Sequence, residues 1–272
     1  MFFVVIGLTT AVLTLLAYVI GIFEALWAIP LVYIVIGLVL IILWVISCFI
    51  CSRFINMDKE CDKHNSIFRY YTNRIIEIVM WFYGIKLHVT GLEILPKEKF
   101  LLVCNHRGAM DPLITMGVLR KYHMGFVAKK ELFKIPVIAR LMHSSFCLSL
   151  DRDDVKESAK TILRAGQIIK EGKASMGIYP EGKRNRGDGL LPFMNGAFKV
   201  AIKAQCPIVV ATIKNTEHIM KKMSFKKRHV YLDFIGIIDK EFVIEHNTSE
   251  ISDVAREMME EKMRKNKECN EK

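Results

Sequence analysis

The chain has 272 residues, with 39 Lys and Arg against 28 Asp and Glu, and a formal net charge of +11. The charge is unevenly placed: residues 1–52 hold a single charged side chain, Glu24, and every basic residue falls from Arg53 onward. This partition excludes a uniformly soluble chain, and the basic residues form no nucleic-acid-binding motif, so nucleic acid is not an expected partner.

A signal peptide needs a charged start, a short apolar run and a small-residue cleavage site. Here Met1 leads straight into Phe2, Phe3 and Val4, and the apolar character lasts through residue 52. One membrane span takes roughly 20 apolar residues. Residues 1–23 and 28–51 each supply that, with Glu24 and Pro30 bracketing a break. The expectation is a membrane helical hairpin over residues 1–53 that either crosses the bilayer or dips in and returns. Arg53, Lys59 and Lys63 follow it, which by the positive-inside rule sets the rest of the chain on the cytoplasmic side of the cell membrane.

Residues 54–84 read as a connecting segment with an amphipathic helix over 66–84. Phe68, Tyr71, Ile75, Ile78, Val79 and Phe82 recur at helical spacing and Gly84 closes the run. Trp81, Phe82 and Tyr83 suit a membrane interface and core packing about equally.

From residue 85 to 272 the pattern becomes that of one α/β domain. Strand-like runs occupy 86–92, 100–104, 124–128, 146–150, 175–179, 207–212 and 229–237, and helical patterns occupy 112–121, 136–142, 154–171, 195–204 and 250–266. Their alternation predicts a mainly parallel or mixed central sheet flanked by helices. Asp154 with Glu157 three residues on is a helix start signal. In the last helix Ile251, Val254, Met258 and Met263 form a stripe suited to covering the core. Cys48 and Cys51 have no second pair to complete a zinc site, and Cys104, Cys147 and Cys206 sit in apolar runs as buried, reduced thiols. No other paired histidine spacing suggests a metal.

Asn105-His106-Arg107-Gly108-Ala109-Met110-Asp111 follows one strand and precedes a helix opened by Pro112. Open α/β sheets bind ligands at the carboxyl ends of their strands. Histidine is the side chain type whose ordinary chemistry suits proton removal from an alcohol, which makes His106 a candidate base, and Asp111 can fix its tautomer. Asp111-Pro112 equally fits a helix N-cap followed by a first-turn proline. Two further segments end strands at the same edge: Asp151-Arg152, and Pro180-Glu181-Gly182-Lys183-Arg184-Asn185-Arg186. Their arginines suit a phosphate, and the glycines let backbone N–H groups approach an anion.

In that order, N-H-x-x-x-x-D, then Asp-Arg, then Pro-Glu-Gly-x-Arg, the chain resembles the glycerolipid acyltransferase family, most nearly the bacterial 1-acylglycerol-3-phosphate acyltransferases. The resemblance runs from about residue 85 to 212 and takes in Val127-Ala128-Lys129-Lys130-Glu131-Leu132 and Gly196-Ala197-Phe198. It implies that His106 is the general base and Asp111 its partner. It also implies that the acceptor's phosphate is bound by Lys129 or Lys130, Arg152, Glu181, Gly182 and Arg184. Lys183 and Asn185 depart from the Thr and Ser more common there, and Cys206-Pro207-Ile208-Val209-Val210 lacks a final proline. The implied reaction moves a fatty acyl group from acyl-coenzyme A or acyl carrier protein to the hydroxyl of a membrane lysophospholipid, without metal or other cofactor. Other acceptors (another lysophospholipid or glycerol 3-phosphate), lipid hydrolysis, and a non-catalytic lipid-binding role are the rival expectations. The basic stretch Lys221–Arg228 suits anionic headgroups or an acidic carrier protein.

Overall fold

A computed structural model describes residues 2–23, 25–63, 65–151, 153–220 and 227–270, with side chains described as far as residue 266. Glu24, His64, Arg152 and residues 221–226 of the basic stretch lie outside the described residues.

The apolar N-terminal segment forms helices α1 (Phe2–Val19) and α2 (Ile29–Arg53), joined through a 3-10 turn at Leu26–Ala28. Pro30 occupies the first turn of α2, where its missing N–H removes no helical bond. At 1.5 Å per residue the two helices measure about 27 and 37 Å, and both are long and apolar enough to cross a membrane. Small side chains bring them together: a Cβ on Gly37 would sit 3.7 Å from Thr10. Thr10 and Thr14 are buried, and their hydroxyls donate to the carbonyls of Ile6 and Thr10, each at 2.8 Å. Small residues and internally satisfied hydroxyls are what helix pairs use where the surroundings are apolar. Leu8, Val12, Leu15, Leu38 and Ile42 face outward, exposed.

Helix α3 (Ser66–Phe82) lies across the open end of this hairpin. Asn65 caps it by accepting from the N–H groups of Ile67 and Phe68 at 2.9 and 3.4 Å. Phe2 meets Trp44 with ring centroids 4.9 Å apart, Phe3 meets Trp81 at 4.3 Å, and the Tyr71 hydroxyl donates to Ser47 at 2.9 Å. Phe68, Tyr71 and Ile75 pack with α2 and with α5 (Pro136–Ser144). Ile76, outside the predicted stripe, is buried on the other side against α4 (Asp111–Val118), while the predicted Phe82 is exposed. Because α3 is covered on two sides, a single stripe does not describe it.

The remaining elements build one seven-stranded sheet from β1 (Ile85–Thr90), β2 (Leu101–Cys104), β3 (Met124–Lys129), β4 (Leu148–Leu150), β5 (Ser175–Ile178), β6 (Ile208–Lys214) and β7 (Arg228–Ile238). Their spatial order is β1-β7-β6-β2-β5-β3-β4, and every pairing is parallel except β6 with β7. The sheet is therefore mixed and flanked by helices. Along β2 the side chains alternate between two cores: Leu101 and Val103 face α6 (Val155–Lys170), α7 (Lys199–Ala204) and α9 (Thr248–Asn270), while Leu102 and Cys104 face α4. Burial on both faces explains the unbroken apolar runs of the central strands.

Three local differences from expectation have physical causes. Phe146 adopts a φ of +59° in the turn after α5, so β4 begins only at Leu148. In α9 the fully buried stripe is Ile251, Ala255 and Met259, one residue round from Val254 and Met258, because an alanine fits closest to the sheet. Six residues, Lys240–Glu245, form a short extra helix, α8, below the length at which periodicity is visible. Asp154 does cap α6, accepting from Lys156 and Glu157 N–H at 2.9 and 3.0 Å.

Candidate active site

Strand β2 ends at the carboxyl edge of the sheet between β6 and β5, and the loops after these three strands converge there. Asn105 is fully buried and fixes the end of β2 to β6: its amide donates to the Ile213 carbonyl at 3.1 Å and accepts from the Ile213 N–H at 2.7 Å. The next residue, His106, is held by its backbone on both sides. Its N–H donates to Glu181 Oε1 at 2.8 Å, and its carbonyl accepts from the Asn185 N–H at 2.7 Å.

The His106 ring is fixed as well. Nδ1 lies 2.9 Å from Asp111 Oδ2, and one ring face stacks on Tyr179 at 4.5 Å between centroids and 26° between planes. Asp111 is completely buried, and the same Oδ2 accepts the N–H groups of Arg107 and Gly108 at 2.6 and 2.8 Å. Both N–H groups precede α4. An N-cap side chain would reach forward to N–H groups inside the helix, and here Met110 takes the N-cap position without a side-chain bond. The carboxylate is thus turned onto the histidine loop, which corrects the N-cap alternative. With the Nδ1 proton donated to Asp111, Nε2 is left as the acceptor, the arrangement a general base requires.

The flanking loops close round this pair. Arg107 donates from Nε to Glu217 and from its terminal nitrogen to the Gly187 carbonyl, so one guanidinium ties together the loops after β2, β5 and β6. A Cβ on Gly108 would fall 2.3 Å from the Thr216 carbonyl oxygen, so the two loops touch backbone to backbone. Burial raises the Cys104 thiol well above its ordinary value, with the charges of Asp111 and Glu181 adding. A thiol held protonated is a poor nucleophile. Burial likewise raises the Tyr179 hydroxyl, whose ring supports one face of His106.

Residues 86–214 match the family model described as Acyltransferase. The 1-acyl-sn-glycerol-3-phosphate acyltransferase of Borreliella burgdorferi is 31% identical over 193 residues, which cover 69% of this chain and 76% of that one. The chain belongs to the acyltransferase family. The protein of the same name from Haemophilus influenzae is 26% identical over 206 residues, 73% of this chain and 85% of that one. In fold, this acyltransferase matches the crystal structure of the 1-acyl-sn-glycerophosphate (LPA) acyltransferase PlsC from Thermotoga maritima with a TM-score of 0.62 at 20% identity, covering 83% of this chain and 89% of that one.

The remaining expected site residues of the acyltransferase divide into two groups. Glu181 and Gly182 stand beside His106. Glu181 is buried, and its second oxygen accepts the Leu191 N–H at 2.9 Å, so both carboxylate oxygens hold backbone. Gly182 has a φ of +66°, and a Cβ there would meet the Met194 sulfur at 2.8 Å. Arg184 is exposed on the same loop with no partner among the described residues. Lys129 and Lys130 lie farther along the carboxyl edge at the end of β3, where Lys129 pairs with Glu131 at 2.9 Å and Lys130 with Asp151 at 2.8 Å. Arg152 lies outside the described residues.

Several structural partners of the site carry weaker sequence signals. Tyr179, Asn105 and Asn185 adjoin or lie within the motifs and could have been weighed by position. Asn185 does more than its place as a departure suggests: its side chain accepts from the Gly187 N–H and donates to the Gly189 carbonyl, each at 2.9 Å. Glu217 has no local signal at all.

Proposed function

We propose that this acyltransferase moves a fatty acyl group from an acyl thioester to the free hydroxyl of 1-acyl-glycerol-3-phosphate, giving phosphatidic acid for phospholipid synthesis. The observation that carries the proposal is the buried Asp111 carboxylate, 2.9 Å from His106 Nδ1, at the carboxyl edge of an acyltransferase sheet. His106 Nε2 takes the proton of the acceptor hydroxyl as its oxygen attacks the thioester carbon. Asp111 stabilises the imidazolium that results. Collapse of the tetrahedral intermediate expels the thiolate of coenzyme A or carrier protein, which takes up the proton. The fixed loop means that the base is in place before substrate arrives, so little reorganisation is needed during the reaction.

Arg184, exposed beside the histidine and free of internal ion pairs among the described residues, is assigned to the acceptor's phosphate, with Arg152 and Lys129 or Lys130 as further cations along the edge. Orienting the phosphate there sets the hydroxyl next to His106. The hairpin fits the same scheme, since acceptor and product are both lipids. Its outward apolar faces suit the bilayer, α3 then lies at the membrane surface, and Arg53, Lys59 and Lys63 just after the hairpin favour the cytoplasmic side for the α/β domain.

The test uses the full chain in nanodiscs with lysophosphatidic acid, glycerol 3-phosphate and other lysophospholipids, each with a labelled acyl thioester. Phosphatidic acid formation by the wild type, reduced about 10²- to 10⁴-fold in His106→Ala, is the expected outcome. Turnover of another acceptor alone would reassign the substrate, and equal product from both proteins would remove His106 from the chemistry.

A further inference from the structure

A second cluster of polar groups lies at the opposite edge of the sheet. A small, partly open cavity of about 20 Å³ sits where α3, the turn after α4, the start of β3 and the end of α5 meet. Arg69, Asn73, Arg120, His123 and Ser145 are among its lining residues. β3 begins here at Met124, whereas His106 follows the carboxyl end of the parallel strand β2, so the sheet separates the two places.

The cations round this cavity are short of counter-charge. Arg69 has no carboxylate partner among the described residues; its terminal nitrogen rests on the His123 ring, 2.5 Å from Nδ1 and 3.0 Å from Nε2. Arg120 reaches Glu77 at 3.5 Å, but Arg74 holds that carboxylate at 2.6 Å. Among the described residues Lys99 donates to the Tyr122 carbonyl at 3.3 Å and to no carboxylate. Among the described residues, Arg120 alone of these three cations reaches an acid, and Arg74 already holds that acid. Burial holds His123 below its ordinary value, with Arg69 and Lys99 adding, so the imidazole brings no positive charge of its own. The side chains of Asn73 and Ser145 make no hydrogen bond among the described residues. Guanidinium groups, an amide and a hydroxyl lining one cavity form a donor set for a tetrahedral oxyanion.

We infer that this cavity binds a phosphate group, supplied either as a free phosphate or as the headgroup of an acidic phospholipid. Since α3 also carries the foot of the hairpin, a phosphate held there ties the membrane segment to the α/β domain. A bound dianion also favours protonated His123, so binding raises the pH at which that ring titrates.

The experiment follows the ¹⁵N-histidine resonances of the full chain, with His123 assigned from a His123→Gln sample, alongside thermal unfolding. One arm titrates inorganic phosphate against chloride at constant ionic strength in non-ionic detergent. The other compares nanodiscs of phosphatidylcholine with nanodiscs containing phosphatidic acid. A rise of the His123 midpoint together with a gain of about 3 °C in Tm, retained in Arg184→Ala and reduced at least tenfold in affinity by Arg69→Gln or the exposed Arg120→Gln, is the expected result. A response to inorganic phosphate identifies the free ion, and a response only to phosphatidic acid identifies the headgroup. An unmoved His123 in both arms overturns the inference, as does a response that Arg184→Ala abolishes and the double Arg69→Gln, Arg120→Gln protein keeps.

Discussion

Asp111 reaches back across five residues to His106, and its Oδ2 serves the ring Nδ1 at 2.9 Å while also accepting two backbone N–H groups of the intervening loop. One oxygen therefore fixes both the ring and the turn that carries it. In Asp111→Asn the amide oxygen can keep the two backbone bonds, but the charge that stabilises an imidazolium is lost. The expected outcome is a fold retained by circular dichroism and a fall in kcat on the order of 10⁴-fold, as found for losing such an acid. Unchanged kcat would show that proton transfer does not pass through this pair.

Glu181 makes a different prediction. Its oxygens hold the N–H groups of His106 and Leu191. Glu181→Gln turns an NH₂ toward one of these donors and leaves a buried N–H unsatisfied, costing about 1–3 kcal/mol. A positioning role lowers kcat by roughly tenfold or more while the acceptor KM stays within about twofold. A raised acceptor KM at full kcat would instead mean that Glu181 serves the acceptor directly.

All seven strands fall within a few residues of the spans read from sequence, and the central strands β2, β5 and β6, buried on both faces, leave continuous apolar runs. The histidine loop was legible because its residues are near neighbours in the chain. Long-range pairings were not. Asn105 meets Ile213 across 108 positions and Arg107 meets Glu217 across 110, and no local pattern marks contacts that only the sheet order creates. His88 and His229 make the same point: they are far apart in sequence, yet β1 and β7 bring their ring nitrogens to 2.9 Å. Helix faces fared unevenly where a helix is covered on two sides, as in α3.

Buried thiols give the protein an alkaline limit. Burial pushes Cys147 and Cys206 up to about 12 from an ordinary value of 9.0. A folded-state value above the unfolded one leaves stability intact below about pH 9, and stability is lost as the pH rises from there toward 12. Each thiol contributes a slope of about 1.4 kcal/mol per pH unit in that window. Urea unfolding of wild type and Cys147→Ala between pH 8 and 11 isolates one of them. The mutant is the less stable protein at pH 8, and the gap should narrow steadily above pH 9. A constant gap would mean that Cys147 ionises as readily folded as unfolded.

Gly108 and Gly196 provide a paired test of how tightly the site is closed. Gly108 donates its N–H to Asp111, and any Cβ on it would lie 2.3 Å from the Thr216 carbonyl oxygen and 2.8 Å from its carbon. Backbone cannot rotate aside as a side chain can, so Gly108→Ala must push the loops after β2 and β6 apart. The loop that moves carries His106, the proposed base, and displacement of such a group by about 1 Å costs on the order of 10²-fold in rate. Gly196 has nothing within 4 Å of the same added atom and needs no left-handed backbone. Gly196→Ala should therefore keep activity within about twofold, although it lies within the matched acyltransferase segment. Phosphatidic acid formation by the two variants, with Tm recorded for each, checks the pair. Equal activity in both would show that the contact between Gly108 and Thr216 is slack in solution and that the loop is fixed by its hydrogen bonds alone.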